Sequence, residues 1–193
     1  MPRTGLAAPD VVRAGAEIAD QRGYDQLTLG LVAERLGIRA PSLYKHIEGL
    51  GDLQHRIATL AMIELGETAR DAVAGRAGRD ALGALARAVR AFVVAHPGRY
   101  IATIGAEFTG PDDPLLAAST RVIEVISAVL RGYRIGDEAM VHAIRAVRCT
   151  LHGFAMLQAT NGFRWDADVD ESFERLIDFM DGGLRGLPAA ADV

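Results

Sequence analysis

Cysteine is almost missing from this chain of 193 residues. Cys149 stands alone, so neither an internal disulfide nor a cysteine-built zinc site can form. A lone thiol fits a reducing compartment, and the expectation is a cytoplasmic protein. Lysine is equally scarce: Lys45 is the single one, against 20 arginines. Positive charge is not in excess either. The net charge of −4 excludes a bulk attraction for nucleic acid, so any such binding must come from a local patch. Residues 1–56 carry 7 basic and 7 acidic side chains, and the negative excess lies beyond them. No run approaches the roughly 18 uninterrupted apolar residues of a membrane span, and the opening MPRTGLAAPD has no apolar core of signal-peptide length. The five histidines, His46, His55, His96, His142 and His152, include no pair at i, i+4, and no metal-ligand spacing occurs. No metal and no cofactor are expected. Alternating strand patterns, hairpin dipeptides and internal repeats are also missing.

What remains is helical periodicity, in a sequence whose hydrophobic half can build a sizeable core. It predicts an all-α fold of about nine helices. The first runs from about Pro9 to Arg22, with Val11, Ala14, Gly15, Ile18 and Ala19 as its apolar stripe. Thr28 is the N-cap of a short second helix that Gly37 closes. Pro41 opens the third, where its missing N–H costs nothing, and Leu43 and Ile47 are the inward residues. A long fourth spans roughly Leu50 to Ala74. A polar break at Ala74–Asp80 separates an N-terminal domain, 6–66, from a C-terminal one, 75–188. Five further helices follow: one through Leu82–Val93, a short one with Tyr100, Ile101 and Ile104, one from about Leu115 to Tyr133, one that Asp137 caps and that runs to about Thr160, and one from about Val169 to Leu184.

Two short helices around a glycine turn, preceded by a longer helix, have the layout of a helix-turn-helix, whose second helix reads the major groove. Ile38, Leu43 and Ile47 hold that helix to the core and leave Arg39, Ala40, Ser42, Tyr44, Lys45 and His46 facing outward. Arg39 has the fork for a guanine edge, and the Ser42 and Tyr44 hydroxyls suit phosphate. Lys45 and His46 add donors at the far end. Thr28 both caps its helix and sets backbone N–H groups where a phosphate binds. The plain alternative is that such helix pairs occur in many helical cores and that exposed basic residues are usually just solvated.

The stretch YDQLTLGLVAERLGIRAPSLYKHIEGLGDLQHRI also resembles the DNA-binding region of the TetR-type transcriptional repressors. Gly23, Tyr24, Thr28, Val32, Ala33, Leu36, Gly37, Leu43, Tyr44 and His46 match that pattern in order and spacing, and the likeness covers about residues 9–60. The resemblance implies that Thr28, Ser42, Tyr44 and His46 contact or position DNA. It leaves Arg39 and Lys45 at positions that vary within the family, as candidates for operator preference. One departure stands out. Where the family has a lysine at the start of the fourth helix that reaches a phosphate, this sequence has Leu50. Losing one phosphate contact would flatten the salt dependence by about one unit of log slope.

TLHGFAML, Thr150 to Leu157, is similar to the C-terminal domain of a TetR-type subgroup named for a Trp-His-Gly motif, with Thr150 or Leu151 at the tryptophan position. That likeness implies a ligand-binding and dimerising domain. The eighth and ninth helices are apolar on more than one face, through Met140, Val141, Ile144, Val147, Leu151, Phe154 and Leu157 and through Phe173, Leu176, Ile177, Phe179, Met180 and Leu184. Such helices are buried on two sides. A homodimer built on a four-helix contact does this; so does a single central core helix. Candidate contacts for an unknown small-molecule ligand are Phe92, His96, Tyr100, Phe108, Arg148, His152 and Met156. The alternative is that Arg145 and Arg148 are solvated and His152 is a satisfied core histidine. Enzyme readings find less support. Cys149 and His152 lie i, i+3, but no oriented base or oxyanion site is visible, and Asp112–Asp113 beside prolines is turn chemistry. The expectation is a non-enzymatic, homodimeric repressor of a near-palindromic operator, released by a small molecule. The alternative is an all-α ligand-binding protein or enzyme that has lost DNA binding.

Overall fold

The computed structural model describes residues 6–188. Among them there is no β-strand. The elements run α1 (Ala8–Arg22), η1 (Tyr24–Gln26), α2 (Leu29–Leu36), η2 (Ala40–Lys45), α3 (Leu50–Val73), α4 (Gly78–Ala95), α5 (Pro97–Ile101), α6 (Pro114–Arg131), α7 (Asp137–Ala159) and α8 (Val169–Arg185), with η for 3-10 helices. All nine expected helices are present, and η1 is an added turn. Three details differ from the sequence expectation. The third helix is the 3-10 helix η2. The short α5 begins at Pro97 and leaves Ile104 outside it and exposed. Gly136, rather than Asp137, occupies the N-cap of α7, so Asp137 acts from the first turn.

The chain divides into two compact units. One holds the chain to Glu64 together with Ala95–Ala118; the other holds Leu65–Val94 and the chain from Ser119. The division falls inside α3, not at the polar break, and Ala95–Ala118 packs with the N-terminal unit although it lies within the expected 75–188 domain.

The reason lies in α1. Its face of Val11, Ala14, Ala16 and Ile18 enters a core with Leu27, Val32, Leu43, Ile47, Leu53, Ile57, Ala102 and Leu115. Gly15 lets α3 come close: a Cβ there would stand 3.1 Å from the Ile57 Cδ1 methyl. Gly98 does the same for α5, since a Cβ would lie 2.0 Å from the Ala19 carbonyl oxygen. With the backbones that close, the Arg99 N–H donates to Asp20 Oδ1 at 2.8 Å and its Nε to Oδ2 at 2.8 Å, while its terminal nitrogen reaches Glu64 at 2.8 Å. The loop before α6 is fixed by buried Asp113. It accepts from the Thr109 N–H at 2.7 Å, the Leu115 N–H at 2.8 Å and His55 Nε2 at 3.0 Å. The Thr109 N–H outweighs the opposing effect of burial and, with Leu115 and His55, holds the Asp113 carboxyl well below the usual carboxylate range.

In the second unit α8 turns Phe173, Ile177, Met180 and Leu184 inward. Arginines of α4 clamp its outer edge: Arg79 to Asp178 at 2.8 Å, Arg87 to Glu174 at 2.8 and 2.6 Å, and Arg90 to Asp170 at 2.5 Å. The Arg90 guanidinium also lies 4.6 Å from the centre of the Phe173 ring. Asp168 caps α8 by accepting from the Asp170 and Glu171 N–H groups.

Two outcomes follow from the first unit. Gly98→Ala places its methyl against fixed backbone, so it should cost about 3 kcal/mol and lower Tm by roughly 10 °C in thermal melts. Gly51→Ala, in the first turn of α3 with nothing within 4 Å of its Cβ, does not lower Tm and should raise it slightly through helix propensity. An unaltered melt for Gly98→Ala would show that α5 is not held this way. A carboxyl depressed in the folded state adds stability above its unfolded pKa, near 4, and that stability is lost as pH falls. Asp113→Asn is therefore expected to lower Tm at pH 7, with the gap to the parent narrowing at pH 3. A gap independent of pH would assign the loss to geometry instead of charge.

Candidate nucleic-acid interface

Local rules build the helix-turn-helix. Thr28 Oγ1 accepts from the Leu31 N–H at 3.3 Å and caps α2. Gly37, at φ 65°, ends it in the left-handed conformation. Its N–H donates to the Glu34 carbonyl at 3.1 Å and that of Ile38 to the Ala33 carbonyl at 3.0 Å, the paired bonds of a Schellman turn. Arg35 locks α2 to α1 through Glu17 at 2.8 Å and through Gln21, so that guanidinium is engaged within the unit.

The 3-10 form of η2 decides which side chains share a row, because residues i and i+3 eclipse one another. Leu43 is 0 % exposed and Ile47 is buried behind it. Leu43 is therefore the inward residue of its row, with Ala40 one turn before it exposed and His46 one turn after it half-buried. Arg39, Ser42 and Lys45 make a second row, and Pro41 and Tyr44 a third. Arg39, Ala40, Tyr44 and Lys45 are exposed, Tyr44 by 61 %, and Ser42 and His46 are half-buried. Thr28 is exposed at the α2 N-terminus. The seven candidate residues thus lie on two adjoining short helices, outside one apolar anchor.

The end of η2 is pinned by groups that the sequence did not single out. Arg56 donates to the His46 carbonyl at 3.2 Å and to Asp52 at 2.7 Å, and Asp52 accepts the Glu48 N–H at 2.8 Å. Burial opposes ionisation of Asp52, but Arg56 and the Glu48 N–H outweigh it and keep the carboxyl below its ordinary range. The i, i+4 spacing of Asp52 and Arg56 was a legible signal. Leu50 is half-buried against the core, so the first turn of α3 is fixed by apolar contact where the family pattern has a lysine.

The ligand candidates fall in different places. His96, Tyr100 and Phe108 belong to the first unit. His96 Nδ1 lies 3.3 Å from Asp20, Tyr100 is buried, and Phe108 is exposed. Phe92, Arg148, His152 and Met156 belong to the second: Phe92 is buried, His152 and Met156 are half-buried, and Arg148 is exposed beside exposed Arg145. Among the described residues no cluster of three or more His, Cys, Asp or Glu side chains could hold a metal ion, and no helix is long and apolar enough to cross a membrane.

The arrangement of α1, α2 and η2 can be set beside known proteins. Residues 11–46 match the family model of bacterial regulatory proteins of the tetR family, and residues 82–180 match that of the tetracyclin repressor-like C-terminal domain. The uncharacterized HTH-type transcriptional regulator YobS of Bacillus subtilis strain 168 is 32% identical over 185 residues, covering 95% of this chain and 95% of its own. The chain belongs to the TetR family. It is a TetR-family transcriptional regulator, and its fold is shared with solved members at lower identity. BioQ, in a crystal structure with its natural double-stranded DNA operator, superposes with a TM-score of 0.67 at 22% identity, over 94% of this chain and 99% of that one. A TetR variant of Acinetobacter baumannii AYE, in complex with minocycline, gives 0.70 at 23% identity, over 93% and 96%.

Stability and presentation separate at this surface of the regulator. Thr28→Ala, which removes a cap, should cost about 1 kcal/mol in denaturant melts. Tyr44→Ala and Lys45→Ala should stay within about 0.5 kcal/mol of the parent, since neither side chain is packed. A large loss at Tyr44 would mean that it belongs to the core and not to the outer face.

Proposed function

We propose that the chain is a cytoplasmic, homodimeric repressor that reads a near-palindromic operator. Residues 6–66 carry the DNA-binding domain, and the ligand-binding and dimerisation domain is drawn from residues 75–188 without Ala95–Ala118, which pack with the first unit. The observation that carries this is the apolar anchoring of η2 by Leu43 and Ile47, which leaves its polar side chains outward. Arg39, Ala40, Ser42, Tyr44, Lys45 and His46 enter the major groove, Arg39 and Lys45 setting operator preference. Thr28 and the open N–H groups of the first α2 turn receive a phosphate. The operator complex of BioQ supports such a role by likeness of fold.

Two copies pair through α7 and α8, the eighth and ninth expected helices. Val141, Leu157 and Phe179 support this, for they are exposed along those helices in the single chain. A two-fold dimer offers its reading helices to half-sites about 34–36 Å apart or a multiple of that, hence the near-palindrome. A small molecule, as minocycline is for the Acinetobacter TetR, binds in the second unit against Phe92, Arg148, His152 and Met156 and shifts α3. His96 and Tyr100 are read as structural groups of the first unit. A switch of occupancy from 99:1 to 1:99 requires about 5.5 kcal/mol of differential affinity. Linkage then obliges operator DNA to weaken effector binding by the same factor. No step calls for catalysis.

Selection of random duplexes by the purified protein, followed by sequencing, tests the proposal. A near-palindrome is expected to be enriched, and to disappear when Tyr44 and Lys45 are both changed to alanine. No enrichment at low salt would move the protein to the other reading, a helical ligand-binding protein or enzyme without DNA binding, which Leu50 in place of the phosphate-reaching lysine favours.

A further inference from the structure

The turn from η2 into α3 has little of its own to hold it. Gly49 is the N-cap of α3, its carbonyl accepting from the Leu53 N–H at 3.0 Å, and it has no side chain to cap with. Gly51 follows in the first turn, and a Cβ at either glycine would meet nothing within 4 Å. The six-residue η2 is a 3-10 helix, a form with poorer hydrogen-bond geometry than an α-helix. What crosses the turn comes from α3. Asp52 Oδ2 accepts from the Glu48 N–H at 2.8 Å, and Asp52 Oδ1 accepts from Arg56 Nε at 2.7 Å. Arg56 Nη1 then donates to the His46 carbonyl at 3.2 Å. The carboxylate thus aims the guanidinium at the last residues of η2.

Two opposed effects meet at Asp52. It lies two residues after Leu50, the position where the family pattern brings a lysine to a phosphate. A carboxylate there repels DNA, so by its field alone its removal tightens binding. By geometry its removal weakens binding, because Arg56 loses the partner that turns its fork toward the His46 carbonyl. The neighbouring charges do not replace that partner: Arg13 is paired with Asp10, and His55 with Asp113. Magnitudes decide the sign. One partly exposed charge, screened by salt, is worth at most about fivefold in affinity. A misplaced base contact costs about tenfold or more. Lys45 and His46 stand where η2 ends, so they are the groups displaced when that end is released.

We propose that Asp52 and Arg56 are positioning residues for operator reading, and that the Asp52 carboxylate strengthens recognition although its charge opposes DNA. Neither side chain touches the duplex. They act through the His46 carbonyl and the Glu48 N–H, which fix the direction of η2. The proposal rests on the DNA-binding reading above.

Fluorescence anisotropy on the full chain tests it, with the duplex that the parent enriches, a random duplex, and a series of salt concentrations, all well below the Tm of each variant. Asp52→Asn should bind the enriched duplex about tenfold more weakly, and the random duplex no more weakly than the parent does. Glu48→Gln controls for the field. Glu48 is exposed and enters the pin only through its N–H, so this variant removes the same charge and keeps the geometry. It should bind both duplexes as tightly as the parent or more tightly. Arg56→Lys keeps the charge but loses the fork, and should weaken the enriched duplex as Asp52→Asn does, at an unchanged salt slope. Asp52→Asn binding the enriched duplex as tightly as Glu48→Gln would overturn the proposal. Equal weakening on both duplexes would assign the loss to general loosening of the unit and overturn it too. A salt slope flattened by about one unit in Arg56→Gln would make Arg56 a phosphate contact and not a positioning residue. A parent that selects no duplex at low salt would overturn the DNA reading itself.

Discussion

Arg99 is the group on which the N-terminal unit depends. It is 11 % exposed, grips both oxygens of Asp20, and reaches Glu64 as well. A buried ion pair of this kind is close to neutral in net free energy while both partners stay, yet strongly destabilising once one is removed. Its value is geometric. It holds α5 against α1 in one orientation, and it does so only because Gly98 lets two backbones meet where any Cβ would collide. The consequence is that Ala95–Ala118, well beyond the helix-turn-helix in sequence, is part of the same compact body.

Within that body, the outward chemistry of η2 depends on its inward chemistry. Leu43 and Ile47 are held by Val32, Leu53 and Ile57, so the remaining side chains have no core to enter. The Asp52–Arg56 pair then fixes the far end of η2 through the His46 carbonyl. A short segment that would be marginal alone is in this way given a defined direction. Operator reading by a chain of net charge −4 requires such placement, because affinity must come from a few well-held groups instead of an overall field.

The second unit divides α8 differently. One face is buried through Phe173, Ile177, Met180 and Leu184, and one edge is clamped by Arg79, Arg87 and Arg90. The exposed pairs among these contribute little each, and on α8 they leave Phe179 as the large apolar side chain exposed in the single chain. That solvent-facing phenylalanine, with Val141 and Leu157 on α7, is what the dimer proposal explains.

By itself the sequence determined the all-helical class, the positions of the nine helices, the Thr28 cap, the Gly37 turn and the anchors Leu43 and Ile47. Each of these follows from contacts within a few residues, where propensity, capping and 3.6-residue periodicity act. The resemblance in residues 9–60 pointed to the TetR family on the same local residues. Other features had no local signal. That η2 is 3-10, and so which side chains share a row, depends on how Leu43 is packed. Asp20 and Arg99 are far apart in the chain, and nothing around either names the other. The assignment of His96 and Tyr100 to the first unit follows from that pairing, and so does the placement of Ala95–Ala118 outside the C-terminal unit. Long-range partners are chosen by shape and by the burial of charge, and these exist only once the chain has folded; tertiary structure alone decided them.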